Sequence, residues 1–252
     1  MNNPFLDNVD PANYDTARPY FHPLVLRRFA GVLNNRRLMS SLDVACGTGQ
    51  STEALTAVSE LVVGLDSSTV MLKCARCRDA IAYIRGMAEQ LPFCAGSFDL
   101  VSVGLGLHWL DRNAFLKEAH RVLRDKSWLL IYDSGFCGRM TENPSFSEWG
   151  KQYRQRFPAP PRSDEPLSDE FLSAIGFRQV LSDNFVHTEV YDLEQLIAYL
   201  NTQSNILFAV RKGDETPNTV SAWLRTTLAP MFTAPTATFE YQGWFRYFQK
   251  AG

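Results

Sequence analysis

The run Asp43-Val44-Ala45-Cys46-Gly47-Thr48-Gly49 joins a short apolar stretch to a helical pattern over about residues 50–59. Glycines at such a junction let backbone approach a ligand closely, and the free amides at the helix start favour a negative group. Seventeen positions beyond Gly49, at the end of the next apolar stretch, stands Asp66. A carboxylate there accepts hydrogen bonds from ribose hydroxyls, so loop and acid together point to an adenosine cofactor. A Gly-x-Gly pair alone is equally an ordinary tight turn. A nicotinamide dinucleotide usually wants a third glycine three positions on, where this chain has Thr52, and that weakens the dinucleotide reading.

A second group follows the fourth apolar stretch, in Gly104-Leu105-Gly106-Leu107-His108-Trp109. The carboxyl end of a strand at this place in a doubly wound sheet faces the ligand crevice. His108 there could act as a general base. The Trp109 indole could hold a cation over its ring. The plainer alternative is a packed aromatic beside a hydrogen-bonded histidine. Cys74-x-x-Cys77 is half of a zinc or redox motif, but it falls on a helical pattern without a second pair, so no metal is expected. His120, among Lys117, Glu118 and Arg121, reads as a solvated helix residue, and His22 and His187 have no suggestive partners.

These groups need a sheet to hold them. Strands are expected at Ser41 to Ala45, Leu61 to Leu65, Ala80 to Ile84, Phe98 to Gly104 and Trp128 to Tyr132, alternating with helical patterns. That alternation is the signature of an α/β fold with a parallel sheet. Asp111 should cap a helix carrying Phe115, Leu116, Ala119, Val122 and Leu123 on one face. Ahead of the core, Asp15 to Leu33 reads as an amphipathic helix with an aromatic-rich start, Tyr14 to Tyr20, which would serve as a flap. After the core, Phe136 to Pro166 places Phe146, Trp149, Tyr153 and Phe157 along one side of a helix, a stripe better read as packing than as a substrate wall. Asp192 and Thr216-Pro217 should start two more helices, and a closing strand is expected over about residues 238–248. The organisation expected is one domain: a cap at 1–37, a cofactor-binding core at 38–135, and substrate-side insertions with closing strands at 136–252.

Bulk composition narrows the partners. Lys and Arg total 25 against 27 Asp and Glu, so there is no excess of positive charge for nucleic acid or anionic lipid. No stretch approaches the length of a membrane span, and the start Met1-Asn2-Asn3-Pro4-Phe5 lacks a charged leader, so a cytoplasmic protein is expected. Five cysteines suit free thiols better than a closed disulfide framework.

Four ordered segments then resemble successive motifs of class I methyltransferases: Asp43 to Gln50, Val63-Gly64-Leu65-Asp66-Ser67-Ser68, Gly86-Met87-Ala88-Glu89-Gln90-Leu91-Pro92-Phe93, and Ser97-Phe98-Asp99-Leu100-Val101. The resemblance spans about residues 10–135. More loosely, the His108-Trp109 pair, the Tyr14 to Tyr20 segment and Tyr199-Leu200-Asn201-Thr202-Gln203-Ser204-Asn205 are similar to the trans-aconitate methyltransferase-like branch, many of whose members act on small molecules. The resemblance implies a Rossmann-like, mostly parallel seven-stranded sheet with helices on both faces. It implies S-adenosyl-L-methionine as cofactor, S-adenosyl-L-homocysteine as product, and in-line methyl transfer to a small-molecule acceptor. It assigns Gly47 and Gly49 to the methionine part of the cofactor, Asp43 to its amino end, Asp66 to the ribose, and Met87, Ala88 and Glu89 to the adenine, with Ala45, Ser67 and Gly104 also in the cofactor site. Tyr14 and Arg18 would close over the cofactor, with the arginine near its carboxylate. Tyr20, His108 and Trp109 would lie on the substrate side, His108 being catalytic only for an acceptor that must lose a proton. Ala45 stands where many members have glycine, a small departure at a strand end. A non-catalytic S-adenosylmethionine-binding protein and an NAD-dependent oxidoreductase are the alternatives.

Overall fold

The computed structural model describes residues 5, 10–162 and 167–252. The opening residues Met1 to Pro4 and the end of the proline-rich segment, 163–166, lie outside the described residues. Among the described residues no helix is long and apolar enough to cross a membrane.

Seven strands form one sheet: β1 (Leu38–Val44), β2 (Ser59–Asp66), β3 (Ile81–Arg85), β4 (Phe98–Gly104), β5 (Leu123–Met140), β6 (Phe177–Tyr191) and β7 (Ala237–Lys250). Their order is β3-β2-β1-β4-β5-β7-β6. The first five pair in parallel, and β7 runs antiparallel between β5 and β6. The order reverses between β1 and β4, and such a switch point opens a crevice at the strands' carboxyl ends. The five strands expected from the apolar stretches are all present, the fourth with the same bounds. β5 runs unbroken through residues 135 and 136, so the core and the later additions share a strand.

Period-two alternation sends side chains to both faces of the sheet. Leu42, Val44, Val101, Val103, Leu129 and Ile131 pack on one face beneath Phe115, Leu116, Ala119 and Val122 of α5 (Arg112–Val122). Asp111 caps that helix, accepting from the Ala114 amide at 3.1 Å. Val62, Leu100, Leu130, Tyr132, Phe245 and Tyr247 face the other way, against α2 (His22–Val32) and α3 (Gln50–Leu55). A third apolar cluster joins Met140, Phe239 and Tyr241 to α6 (Phe146–Arg156), α8 (Leu193–Asn201) and α10 (Pro217–Leu228). Phe146, Trp149, Tyr153 and Phe157 are all buried in it. Asp192 and Thr216 start α8 and α10 with capping boxes.

Expectation and structure differ in four respects. The helix over Asp15 to Leu33 is two helices, α1 (Pro11–Ala17) and α2, because Pro19 disfavours the helical conformation for Arg18, which is extended (φ −79°, ψ 138°). The helix after the glycine loop ends at Leu55, where the Thr56 hydroxyl donates to the Glu53 carbonyl and turns the chain. Cys74 ends the short α4 (Thr69–Lys73) and Cys77 lies in the following loop, so the pair does not share a helix. β6, α7 (Asp169–Ala174) and α9 (Ser204–Lys212) were given no place along the chain.

Candidate functional site

Two cavities meet above the switch point. The first, about 560 Å³, is bounded by the loops after β1, β2 and β4, the Gly86 to Gln90 turn and the amino-terminal cap. That volume suits a small-molecule site. Of the expected cofactor residues, Tyr14, Arg18, Ala45, Gly47, Asp66, Ser67, Met87, Ala88, Glu89 and Gly104 line it, with Trp109 beside them. The second cavity, about 470 Å³, is walled by His108, Asp133, Ser134, Phe136, α6 and the loop from α8 to α9. Phe5, Tyr14, Arg18, Leu105 and Trp109 border both cavities.

The glycine loop is shaped by its backbone. Gly47 (φ +55°) and Gly49 (φ +83°) are left-handed, the conformation glycine adopts at least cost. Asp66 holds the loop closed: one carboxylate oxygen accepts from the Gly47 amide at 2.9 Å and the other from the Ser68 amide at 2.8 Å. Burial raises its carboxyl above the ordinary value. Ala45 also has a positive φ, +57°, so it is the first residue of the loop rather than the last of the strand. That explains why glycine suits the position better than alanine. Leu105 (φ +62°) is left-handed too, at the border of the two cavities, where strained backbone often accompanies a site. At Gly104 a side chain would meet the Tyr132 ring at 2.5 Å; the Tyr132 hydroxyl instead lies 2.8 Å from His22 Nδ1. Burial pushes His22 down to about 3, so the ring that faces the first cavity is neutral.

Asp43 and Gly49 lie behind the cavity rather than on its wall. Asp43 is fully buried, accepting from Ser51 Oγ at 2.6 Å and Thr52 Oγ1 at 2.7 Å through one oxygen while the other has no partner. Thr52 therefore has its own task, which a third glycine could not perform. Gly49 makes room for Tyr83, whose hydroxyl any side chain there would overlap. Tyr20 does not belong to the site: it borders neither cavity and lies 44% exposed under the Arg76 guanidinium, because Pro19 turns the chain outward.

Asp15 beside the site carried no sequence signal of its own. Asp15 straps the cap to the glycine loop, accepting from Thr48 Oγ1 at 2.9 Å and from Arg76 at 3.1 Å, while its carbonyl accepts from Gln50 at 2.6 Å. Arg18 ties the cap to α8, donating to the Thr202 carbonyl at 2.6 Å with its guanidinium 4.7 Å from the Tyr14 ring. Its Nε is buried without a partner, as is Glu89 Oε2, whose sister oxygen accepts from the Asp111 amide. His108 sits in a 3-10 turn and faces only the second cavity, its Nδ1 3.5 Å from an Asp133 carboxylate oxygen. His120 is half-buried with its ring edge-on to Phe177 at 5.3 Å, and burial lowers it; it is not a solvated residue. His187, expected to lack partners, bonds Ser134 and Glu189.

Residues 42–131 match the family model of a methyltransferase domain. They are similar to class I S-adenosylmethionine-dependent methyltransferase domains. An uncharacterized methyltransferase of Schizosaccharomyces pombe is 24% identical over 200 residues, covering 79% of this chain and 78% of that one. A demethylmenaquinone methyltransferase of Lactiplantibacillus plantarum is 38% identical over 104 residues, covering 37% of this chain and 44% of that one. The chain thus spans less than half of that enzyme's length. The YcgJ protein of Bacillus subtilis shares the fold at 19% identity, with a TM-score of 0.54 over 93% of this chain and 100% of the other. The seven-stranded, mostly parallel sheet agrees with the fold of that solved structure.

Proposed function

We propose that the chain transfers a methyl group from S-adenosylmethionine to a small-molecule acceptor held in the second cavity. The observation that supports this best is the pair of cavities sharing one border, with Leu105 and Trp109 between them. The first cavity's donors and acceptors suit the cofactor. Asp66 and Ser67 would meet the ribose, Met87, Ala88 and Glu89 the adenine with Glu89 Oε2 free to accept, and Arg18 Nε the terminal carboxylate. Asp43 would act on the methionine amino end from behind Ala45 and Gly47. When bound, the cofactor supplies an already electrophilic methyl for in-line displacement, so the chain's own task is to place the acceptor and exclude water. Tyr14, Arg18 and Trp109 would close the border, and His108 would contact the acceptor from the second cavity's wall.

Calorimetry of the full chain with S-adenosylmethionine, S-adenosylhomocysteine and NAD tests the reading. Binding of both adenosyl ligands without NAD is expected, and NAD binding alone would overturn it. Release of S-adenosylhomocysteine in the presence of a metabolite collection distinguishes an enzyme from a bare binder.

A further inference from the structure

A hydroxyl, an imidazole and a carboxylate line up in the acceptor half. Ser134, on β5 at the wall of the second cavity, has its Oγ 3.0 Å from His187 Nε2. His187 Nδ1 lies 3.2 Å from Glu189 Oε1, two residues along β6. The sheet register builds the contact. Ser134 faces Gly243 of β7 and His187 faces Tyr241, so the glycine leaves β7 without a side chain beside Ser134. The ring is fixed between Phe21 at 5.3 Å and Tyr241 at 4.9 Å, both stacked on it, and its side chain is 7% exposed.

The chemistry follows from who can donate. An ionised carboxylate only accepts, so Glu189 requires the proton on Nδ1. Nε2 is then bare and accepts the Ser134 hydroxyl. This is the order of groups that activates a hydroxyl in nucleophile–base–orienter arrangements. His108 lacks it: its 3.5 Å approach to Asp133 is too long to fix a tautomer.

We propose that Ser134, His187 and Glu189 form a proton relay for the methyl acceptor, which is therefore a hydroxyl compound. The inference rests on the methyl-transfer reading. The acceptor O–H bond breaks and its proton bonds to Ser134 Oγ as the Ser134 proton passes to His187 Nε2. The electron pair left on the acceptor oxygen forms the bond to the methyl carbon, and the pair of the broken carbon–sulfur bond stays on sulfur. Glu189 steadies the resulting imidazolium, which returns its proton to solvent. Ser134 is the catalytic residue, and His187 and Glu189 position and recharge it.

Two measurements on the full chain need no identified acceptor. Imidazole ¹⁵N spectra should show His187 protonated on Nδ1, with the Nε2 signal moving in Ser134→Ala; a proton on Nε2 overturns the relay. A fluorophosphonate probe, mapped by mass spectrometry, should label Ser134 at least about tenfold faster in the parent chain than in Glu189→Gln, a change on the half-exposed edge strand that leaves the core intact. No label on Ser134, or equal rates, overturns it. Labelled protein should bind S-adenosylhomocysteine as before; lost binding would put Ser134 on the cofactor side and overturn the relay. If the unlabelled chain fails to bind that ligand, the methyltransferase reading fails instead.

Discussion

The two cavities are built by different means. The first is walled mainly by short loops from consecutive strands of one parallel sheet, closed by the amino-terminal cap, and its glycine loop is held by a contact between Asp66 and Gly47. The second is walled by side chains drawn from β5, α6, the loop from α8 to α9, and β7, and its polar groups meet across long stretches of chain, as Ser134 does with His187. One cavity rests on fixed backbone geometry. The other is set by side chains that can change without disturbing the glycine loop.

That contrast can be broken most forcefully from the acceptor side. Trp149 is 2% exposed, and its indole donates to Thr227 at 2.9 Å. Trp149→Ala should cost about 3–5 kcal/mol of stability by denaturant titration. The folded fraction should keep its S-adenosylhomocysteine affinity, and a parallel loss would show that the halves are not separable. Asp66→Ala should weaken cofactor binding by about 1.5–3 kcal/mol in calorimetry. Unchanged affinity in a folded variant would remove Asp66 from the ribose site. His108→Ala should leave cofactor affinity intact and lower turnover about tenfold once an acceptor is in hand, a loss of about 1.4 kcal/mol of transition-state stabilisation. Equal turnover would release His108 from any role.

Two further changes sharpen the cofactor half. Burial pushes the Asp43 carboxyl up to about 7, with Ser51 and Thr52 pulling it back less strongly. Its pKa is raised on folding, so its stabilising contribution is complete below the ordinary carboxylate value of about 4 and is lost as pH rises towards 7. Asp43→Asn should therefore flatten the fall of Tm across that window, and parallel melting curves for the two proteins would count against the shift. Ala45→Gly relieves a left-handed alanine, a gain of about 1–2 kcal/mol, against about 0.4–1 kcal/mol of added freedom in the unfolded chain. A net stabilisation of about 0–1.6 kcal/mol is expected in chemical denaturation, and a destabilised variant would contradict the strain.

The cofactor half was legible because its signals are local. A strand, a glycine pair, a helix start and an acid at the next strand end occupy residues 43–66, and the structure keeps that order. The acceptor half is written across the chain. β6 escaped notice because it is an edge strand: Arg178 to Asn184 are mostly exposed, so the apolar alternation survives only towards Phe185 and Tyr191. Asp15 and His187 gain meaning only from residues such as Thr48 and Ser134, which no spacing rule connects to them. Tyr20 was misplaced for the opposite reason, since an aromatic-rich run was read as one surface although Pro19 divides it.

The place of β7 between β5 and β6 also governs assembly. β5 is joined to β6 only through a strand that the ribosome makes after both, so β6 has no partner until the chain beyond residue 237 has emerged. The five parallel strands carry the glycine loop and Asp66 without it. The glycine loop can therefore take shape during synthesis, while Ser134 and His187 are brought together only once β7 pairs with β5 and β6.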